Sequence, residues 1–283
     1  MAQEVDLRAA INAISDVIQN RPRPIREFDQ IYMKAGDMVI QSEIVARWAD
    51  GKKLAFIGDG DAISVCVAYL HSRGILDYGP TEIAVFDFDE RICGAVTRFA
   101  DRERLEQLRA GPYNCLDAFP EEGKFDCFYT NPPWGASNAG ASVNVFVQRG
   151  MEAVAYSGEG MVVIADDDEL AWTKQVLANV QQFSISNGFF VQKMQAQLHQ
   201  YHLDDAPDLR SCNIVLKGLE GNRPPGPSER ITDSDRLRNF YGRDASPRVH
   251  FVRERKRLDY GKAREDEYMF EFLEVEGSGG SDH

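Results

Sequence analysis

The chain has 283 residues, 43% of them hydrophobic and 10% aromatic, which excludes wholesale disorder, a collagen-like repeat and a coiled coil and fits one large α/β domain with a short appendage. Its formal charge is −13, from 45 Asp and Glu against 32 Lys and Arg; residues 221–283 hold 12 basic and 13 acidic side chains, so residues 1–220 hold 20 and 32 and carry −12. A body this acidic argues against nucleic acid as a partner, because phosphate binding rests on Lys and Arg, and it suits a cationic ligand, with plain solubility as the simpler explanation.

Apolar positions Leu7, Ile11, Ile14, Val17 and Ile18 predict a helix over Val5 to Gln19 with Asp6 as its N-cap, stopped by Asn20-Arg21-Pro22-Arg23-Pro24. A mixed segment through Tyr32 and Met33 leads to a second helix, from Gly36 or Asp37 to about Trp48, and Asp50-Gly51 closes a short helical N-terminal part, residues 1–50. From Lys53 the pattern becomes short apolar runs separated by helix-length segments. The runs are Leu54 to Ile57, Ile83 to Phe88, a weak one around Asn114 to Leu116, Phe125 to Thr130, Gly160 to Ala165, Phe189 to Met194 and Cys212 to Leu216. Buried strands alternating with helices predict a doubly wound, mostly parallel sheet. The last two runs lack a long helix between them and are expected to pair antiparallel at an edge. The expected fold class is thus α/β, a seven-stranded methyltransferase-like Rossmann fold over residues 51–220. Residues 221–283 begin with a Pro/Gly linker, Asn222 to Ser228, and form a polar extension with one apolar cluster, Tyr268 to Leu273. That extension is read as either a peripheral ordered layer or a mobile flap.

Cys66, Cys93, Cys115, Cys127 and Cys212 are odd in number and scattered, which supports neither a disulfide framework nor a zinc site. No stretch approaches the roughly 20 apolar residues of a membrane span, and the N-terminus lacks a leader pattern. A cytoplasmic protein with no membrane partner is expected, with a homodimer left open.

Ligands of open α/β sheets bind at the carboxyl ends of the strands, so the residues after each run define the candidate site. They are Gly58-Asp59-Gly60-Asp61, Asp87-Phe88-Asp89-Glu90, Asp117, Asn131-Pro132-Pro133-Trp134 and Asp166-Asp167-Asp168-Glu169. Each offers carboxylates or amides and neither Lys nor Arg, so the crevice reads as strongly anionic. Gly58-x-Gly60 permits close approach of a nucleoside, but the third glycine of a dinucleotide fingerprint is missing. Asp87 or Asp89, at the second strand end, suits ribose hydroxyls, and Asp89 is the better helix N-cap. In Asn131-Pro132-Pro133-Trp134 two prolines fix the backbone, leaving a carbonyl and the Asn amide oxygen as acceptors beside an aromatic wall. That set suits a nitrogen that loses a proton as it attacks, and it marks enzymes that alkylate amino nitrogens. The acidic run Asp166 to Glu169 completes a cation pocket or starts a solvated helix. A divalent metal is the lesser explanation, because Asn-Pro-Pro-Trp has no part in a metal site, and none is expected. His199 and His202, three apart, could share a helix face and read as structural or surface residues, and Asp204, Asp205 and Arg210 near them read as loop contacts.

The run Arg21-Pro-Arg-Pro-Ile-Arg-Glu-Phe-Asp-Gln-Ile-Tyr-Met33, with Leu54 to Asp61, Phe86 to Asp89, Tyr129-Thr-Asn-Pro-Pro-Trp134 and Ala165 to Leu170, resembles the branched-chain polyamine synthases, the N4-bis(aminopropyl)spermidine synthases, over about residues 20–219. The resemblance implies aminopropyl transfer from decarboxylated S-adenosylmethionine to a spermidine-like amine. It also implies a winged-helix-like N-terminal domain that is absent or reduced here. The family's Gly-Asp-Asp-Asp reads Gly58-Asp59-Gly60-Asp61, so Gly60 replaces a candidate amine-deprotonating aspartate. Losing that carboxylate also opens the site to the carboxylate of ordinary S-adenosylmethionine.

The expected roles follow. The donor lies against Gly58 and Gly60, with Asp87 or Asp89 on ribose and Asp117 near adenine. Asn131 and Pro132 orient the acceptor nitrogen, Asp59 or Asp61 takes its proton, and Trp134 packs on it beside Tyr32 and Pro133. Asp166, Asp167, Asp168 and Glu169 hold distal ammonium groups. An S-adenosylmethionine-dependent N-methyltransferase and a non-catalytic polyamine-binding protein are the alternatives.

Overall fold

The computed structural model describes residues 5–202, 209–242, 245–255 and 266–274. Asp204, Asp205 and the Gly/Ser terminus lie outside the described residues. Two N-terminal helices, α1 (Leu7–Asn20, capped by Asp6 as expected) and α2 (Ala35–Trp48), precede the sheet. They share one core with it, since Ile14 and Val17 of α1 and Val45 of α2 are buried in the same cluster as Leu54 and Phe56.

Then come β1 (Lys53–Ile57), α3 (Ile63–Ser72), β2 (Glu82–Asp87), α4 (Glu90–Glu103), β3 (Leu108–Pro112), β4 (Cys127–Thr130), α5 (Ala141–Ala153), β5 (Glu159–Ala165), α6 (Ala171–Ser186), β6 (Phe189–Gln200) and β7 (Arg210–Gly218). The seven strands lie in the order β3-β2-β1-β4-β5-β7-β6. All pair parallel except β7, which runs antiparallel to both β5 and β6. This is the expected methyltransferase-like Rossmann sheet. The central strands read as unbroken apolar runs because both faces are covered. Leu54 and Phe56 of β1 enter one core cluster while Ala55 and Ile57 enter the other, and Met161 with Val163 and Val162 with Ile164 divide β5 the same way. Two glycines seat one ring between the layers: a Cβ on Gly150 or Gly160 would lie 2.1 or 2.2 Å from the Phe128 ring.

Two expectations about elements are corrected. The third strand is Leu108–Pro112, and Asn114 to Leu116 lies in the turn after it. As an edge strand β3 buries little and carries Arg109, Gly111 and Pro112, so no apolar run marks it. The segment containing His199 is strand, because β6 extends to Gln200 through two irregularities in its pairing with β7. The extension is an ordered layer in its described part. Ile231 and Phe240 are buried in the main core, and β8 (Val249–Glu254) pairs with β9 (Tyr268–Phe272) in a hairpin held to α4 by Arg98 and Glu254, at 2.9 and 3.0 Å.

Candidate active site

A cavity of about 220 Å³ lies where β1, β2 and β4 end. Of the residues singled out by sequence, Tyr32, Gly58, Asp59, Gly60, Asp61, Asp87, Asn131, Pro132, Pro133 and Trp134 line it. The loop after β1 needs Gly58, whose φ is +76°, a backbone conformation that costs an L side chain energy. Asp59 then turns onto the first turn of α3: one carboxylate oxygen accepts from Ile63 N (2.9 Å), and the other from Ser64 Oγ (2.5 Å). Burial raises its pKa well above the usual range, against the Ser64 hydrogen bonds that lower it.

The backbone N–H of Asp59 donates to Asp87 Oδ2 (2.9 Å), and that of Asp89 donates to Asp87 Oδ1 (2.9 Å). Each oxygen keeps a lone pair for a ligand hydroxyl. Burial, then the Asp89 carboxylate, push Asp87 up to about 7. Asp89 itself does not line the cavity. It caps α4 and takes the Arg91 guanidinium on both oxygens (2.9 and 2.5 Å) and an amide N–H of Gln30 (3.0 Å). Of the two candidates for ribose, only Asp87 faces the cavity.

On the acceptor side, Asp61 Oδ2 accepts from Asn131 Nδ2 (2.7 Å) and Oδ1 from the backbone N–H of Met33 (2.7 Å). Arg21 stands 4.0 Å from Asp61 and lies over the Tyr32 ring at 4.2 Å. Burial raises the Asp61 pKa, and Arg21 is the largest opposing influence. The N-terminal part thus supplies a cation behind the acids that the strand ends alone do not reveal. The Tyr32 hydroxyl donates to Pro22 O (2.9 Å), fixing the ring, and Trp134 meets Tyr201 edge-on at 4.9 Å.

Other expected residues lie elsewhere. Asp117 faces His250 (2.6 Å to Nε2) and Arg230 (3.9 Å), outside the lining; Asn114 and Cys115 occupy the corresponding wall. The run after β5 also stays out. Lys174 of α6 pairs with Asp166 (2.5 Å) and Asp168 (2.7 Å), Asp167 accepts from the N–H of Glu169, and Gln197 donates to Asp166 and Asp168. Those carboxylates bind α6 and β6 together and do not complete the pocket.

Sequence reasoning missed Asp29, Asn114, Trp172, Tyr201 and Tyr241, all of which line the cavity. Asp29, at φ +54°, ends a short turn in the mixed segment, and Tyr241 comes from the extension, where no period marks it. Tyr241 stacks with Phe88 and meets Phe28 edge-on at 5.2 Å. The lining therefore holds four aspartates, Asp29, Asp59, Asp61 and Asp87, many aromatic rings and, among the described residues, no Lys, Arg or His. Carboxylates and π-faces together attract an organic cation.

Fold and cavity define a methyltransferase-like Rossmann domain built around an anionic, aromatic-walled site. The chain belongs to the branched-chain polyamine synthase family: the model of the branched-chain polyamine synthase A C-terminal domain matches residues 9–271. An N(4)-bis(aminopropyl)spermidine synthase of Thermus thermophilus is 27% identical over 187 residues, 65% of this chain and 50% of that protein. One from Thermococcus kodakarensis is 26% identical over 152 residues, 52% of this chain and 40% of that protein. The chain thus spans half or less of the length of these relatives. The crystal structure of the Thermus thermophilus branched-chain polyamine synthase, in complex with N4-aminopropylspermidine and 5'-methylthioadenosine, superposes with a TM-score of 0.66 at 22% identity, covering 80% of this chain and 69% of that one. A Pyrococcus horikoshii protein described as a candidate RNA methyltransferase shares the fold at a TM-score of 0.56 and 14% identity, covering 75% of this chain and all of that one.

Proposed function

We propose that this chain transfers an aminopropyl group from decarboxylated S-adenosylmethionine to a secondary amine of a spermidine-like polyamine. The observation that carries the reading is the cavity lining, four aspartates and no basic side chain among the described residues, where both a sulfonium donor and a polyamine find counter-charge. Ribose hydroxyls go to Asp87, and the sulfonium lies across Gly58 and Gly60. The acceptor nitrogen sits against the Asn131 amide oxygen and the Pro132 carbonyl, with Trp134 and Tyr32 as walls. Its lone pair attacks the aminopropyl carbon bound to sulfur, the C–N bond forms, and the C–S electrons leave with sulfur as methylthioadenosine. The proton released from nitrogen passes to a carboxylate. Asp61 is that acceptor, because its Oδ2 is bonded to Asn131, the group set against the attacking nitrogen, whereas the Asp59 oxygens are bonded to the first turn of α3. Alignment of nitrogen, carbon and sulfur supplies much of the rate.

Incubation with each donor and a panel of amines, read by product mass, tests this directly. A mass gain of one aminopropyl group on a polyamine is expected. Methyl gain with ordinary S-adenosylmethionine would overturn it in favour of N-methyl transfer, which the open position at Gly60 would serve. Polyamine binding without product from either donor would leave a binding protein.

A further inference from the structure

The residue that ends α1 reaches the acceptor side of the cavity. Arg21 closes the helix, its backbone N–H donating to Val17 O (3.1 Å), and Pro22 cannot continue it. The Arg21 side chain then meets Asp61 at two points. Nη1 donates to the Asp61 carbonyl oxygen (3.1 Å) and stands 4.0 Å from Oδ1 of its carboxylate, with both side chains buried. The same Oδ1 accepts from the Met33 N–H (2.7 Å), while Oδ2 accepts from Asn131 (2.7 Å). Arg21-Pro22 and Tyr32-Met33, both N-terminal to the sheet, thus converge on one aspartate at the end of β1.

Tyr32 joins the two segments. Its hydroxyl donates to Pro22 O (2.9 Å), and the Arg21 guanidinium lies over its ring at 4.2 Å. Tyr32 lines the cavity and Arg21 does not. The positive charge is therefore outside the space that a cationic substrate would fill, yet close enough to Asp61 for a buried, weakly screened attraction.

A buried aspartate that takes a proton faces conflicting demands. It must be ionised to accept, and burial favours the neutral acid, the main cause of its raised pKa. Arg21 opposes that shift more than the Met33 and Asn131 hydrogen bonds do. The other titratable groups around Asp61 do not replace it. Asp59 is a second carboxylate and works against ionisation, and the exposed His202 acts with Arg21 but more weakly. Tyr32, Tyr129, Tyr201 and Cys66 are pushed up by burial and carry no charge near pH 7.

We propose that Arg21 is a positioning residue for proton transfer, holding Asp61 by its carbonyl and keeping its carboxylate ionised for the proton that the attacking nitrogen releases. The inference rests on the reading of Asp61 as the proton acceptor. In that step the new ammonium gives up a proton, the N–H electron pair stays on nitrogen, and Asp61 becomes a neutral acid that returns the proton to solvent after turnover.

The test is Arg21→Gln, which keeps a donor for the Asp61 carbonyl and removes the charge, with Arg21→Met as a second variant, each first shown by thermal melting to be folded. At saturating donor, kcat/KM for the polyamine is measured beside wild type from about pH 6 to about pH 9. Titrations that both proteins share, those of Asp87 and of the amine among them, cancel in the ratio of variant to wild type. That ratio should be about 0.1 or less near pH 6.5 and climb as the pH rises. A ratio of one throughout, or a loss of the same size at every pH as a purely structural role would give, would overturn the proposal. The Asp61 carboxyl signal in NMR of protein with isotope-labelled aspartate, assigned by its absence in Asp61→Asn, gives an answer independent of turnover. Its titration moves to higher pH in both Arg21 variants if the guanidinium holds the charge, and an unmoved midpoint refutes it. Absence of wild-type product with either donor would condemn the functional reading alone, and the carboxyl titration would still decide what Arg21 does to Asp61.

Discussion

Replacing Asp87 by Asn probes the electrostatics of the end of the cavity proposed to take the donor. Asp87 has an ordinary value of 3.8 and stands at about 7 in the fold, raised first by burial and then by Asp89. At about 1.4 kcal/mol per pH unit, that distance is on the order of 4 kcal/mol. The sign follows from a carboxyl whose folded pKa is raised. Below about 4 it is protonated in both states and costs nothing; between about 4 and 7 the cost grows, as the unfolded state sheds the proton that the folded state keeps; above 7 the full cost of a buried anion is present. Asn at 87 removes that dependence. It adds a cost that does not vary with pH, because one of the two N–H groups now held by the carboxylate loses its acceptor, about 1–3 kcal/mol. The stability difference, wild type minus variant, should therefore decline from pH 5 to pH 8. Matched urea denaturation series across that range measure it. A cation in the cavity offsets the cost, so decarboxylated S-adenosylmethionine should raise the wild-type Tm more at pH 8 than at pH 5.5, and that difference should be smaller in the variant. A difference that stays flat with pH would refute the argument, since it would mean that Asp87 carries the same charge folded and unfolded.

Asn131→Ala should lower kcat about 100-fold or more while methylthioadenosine still shifts the Tm as in wild type, because the proposed reaction sets the amide against the acceptor and not the donor; unchanged turnover would remove Asn131 from the site. Gly60→Asp should fold, since a Cβ there meets only the Tyr32 ring, at 3.4 Å. Its carboxylate should weaken ordinary S-adenosylmethionine at least about tenfold relative to the decarboxylated donor, read by calorimetry. Arg149→Met should cost about 3–5 kcal/mol in urea denaturation, because the fully buried guanidinium joins Cys115 O, Glu152, Ser228 and Glu229 O and its loss strands the Glu152 charge. Adding Glu152→Gln should recover part of that loss. Gly150→Ala should destabilise by about 1–3 kcal/mol or more, its methyl falling on the Phe128 ring.

The parts of this molecule legible in the sequence are those set by neighbours in the chain. Leu54 to Ile57 and Gly160 to Ala165 read as strands because central parallel strands are apolar on both faces, and the acids and amides after them read as a site because strand ends face one crevice. Edge strand β3 escaped since solvent, not core, covers much of it. Tyr241 escaped since only the tertiary path of the extension brings it to Phe88.

The acids divide by a rule that chain order does not contain. Asp89 and Asp166 sit at strand ends as plainly as Asp59 and Asp87 do, yet Arg91 and Lys174 neutralise them and remove them from the cavity. Asp117 is drawn off by a hydrogen-bond contact with His250, 133 positions later, and by Arg230 at 3.9 Å. Asp59 and Asp87 are instead held largely by N–H and O–H groups, which fix a carboxylate in place and leave its charge for a ligand. Asp61 stands between the two groups: its oxygens accept from Asn131 and the Met33 N–H, with Arg21 at 4.0 Å behind it, and it still lines the cavity. What makes the site anionic is therefore not the number of carboxylates at the strand ends but the kind of partner each one has.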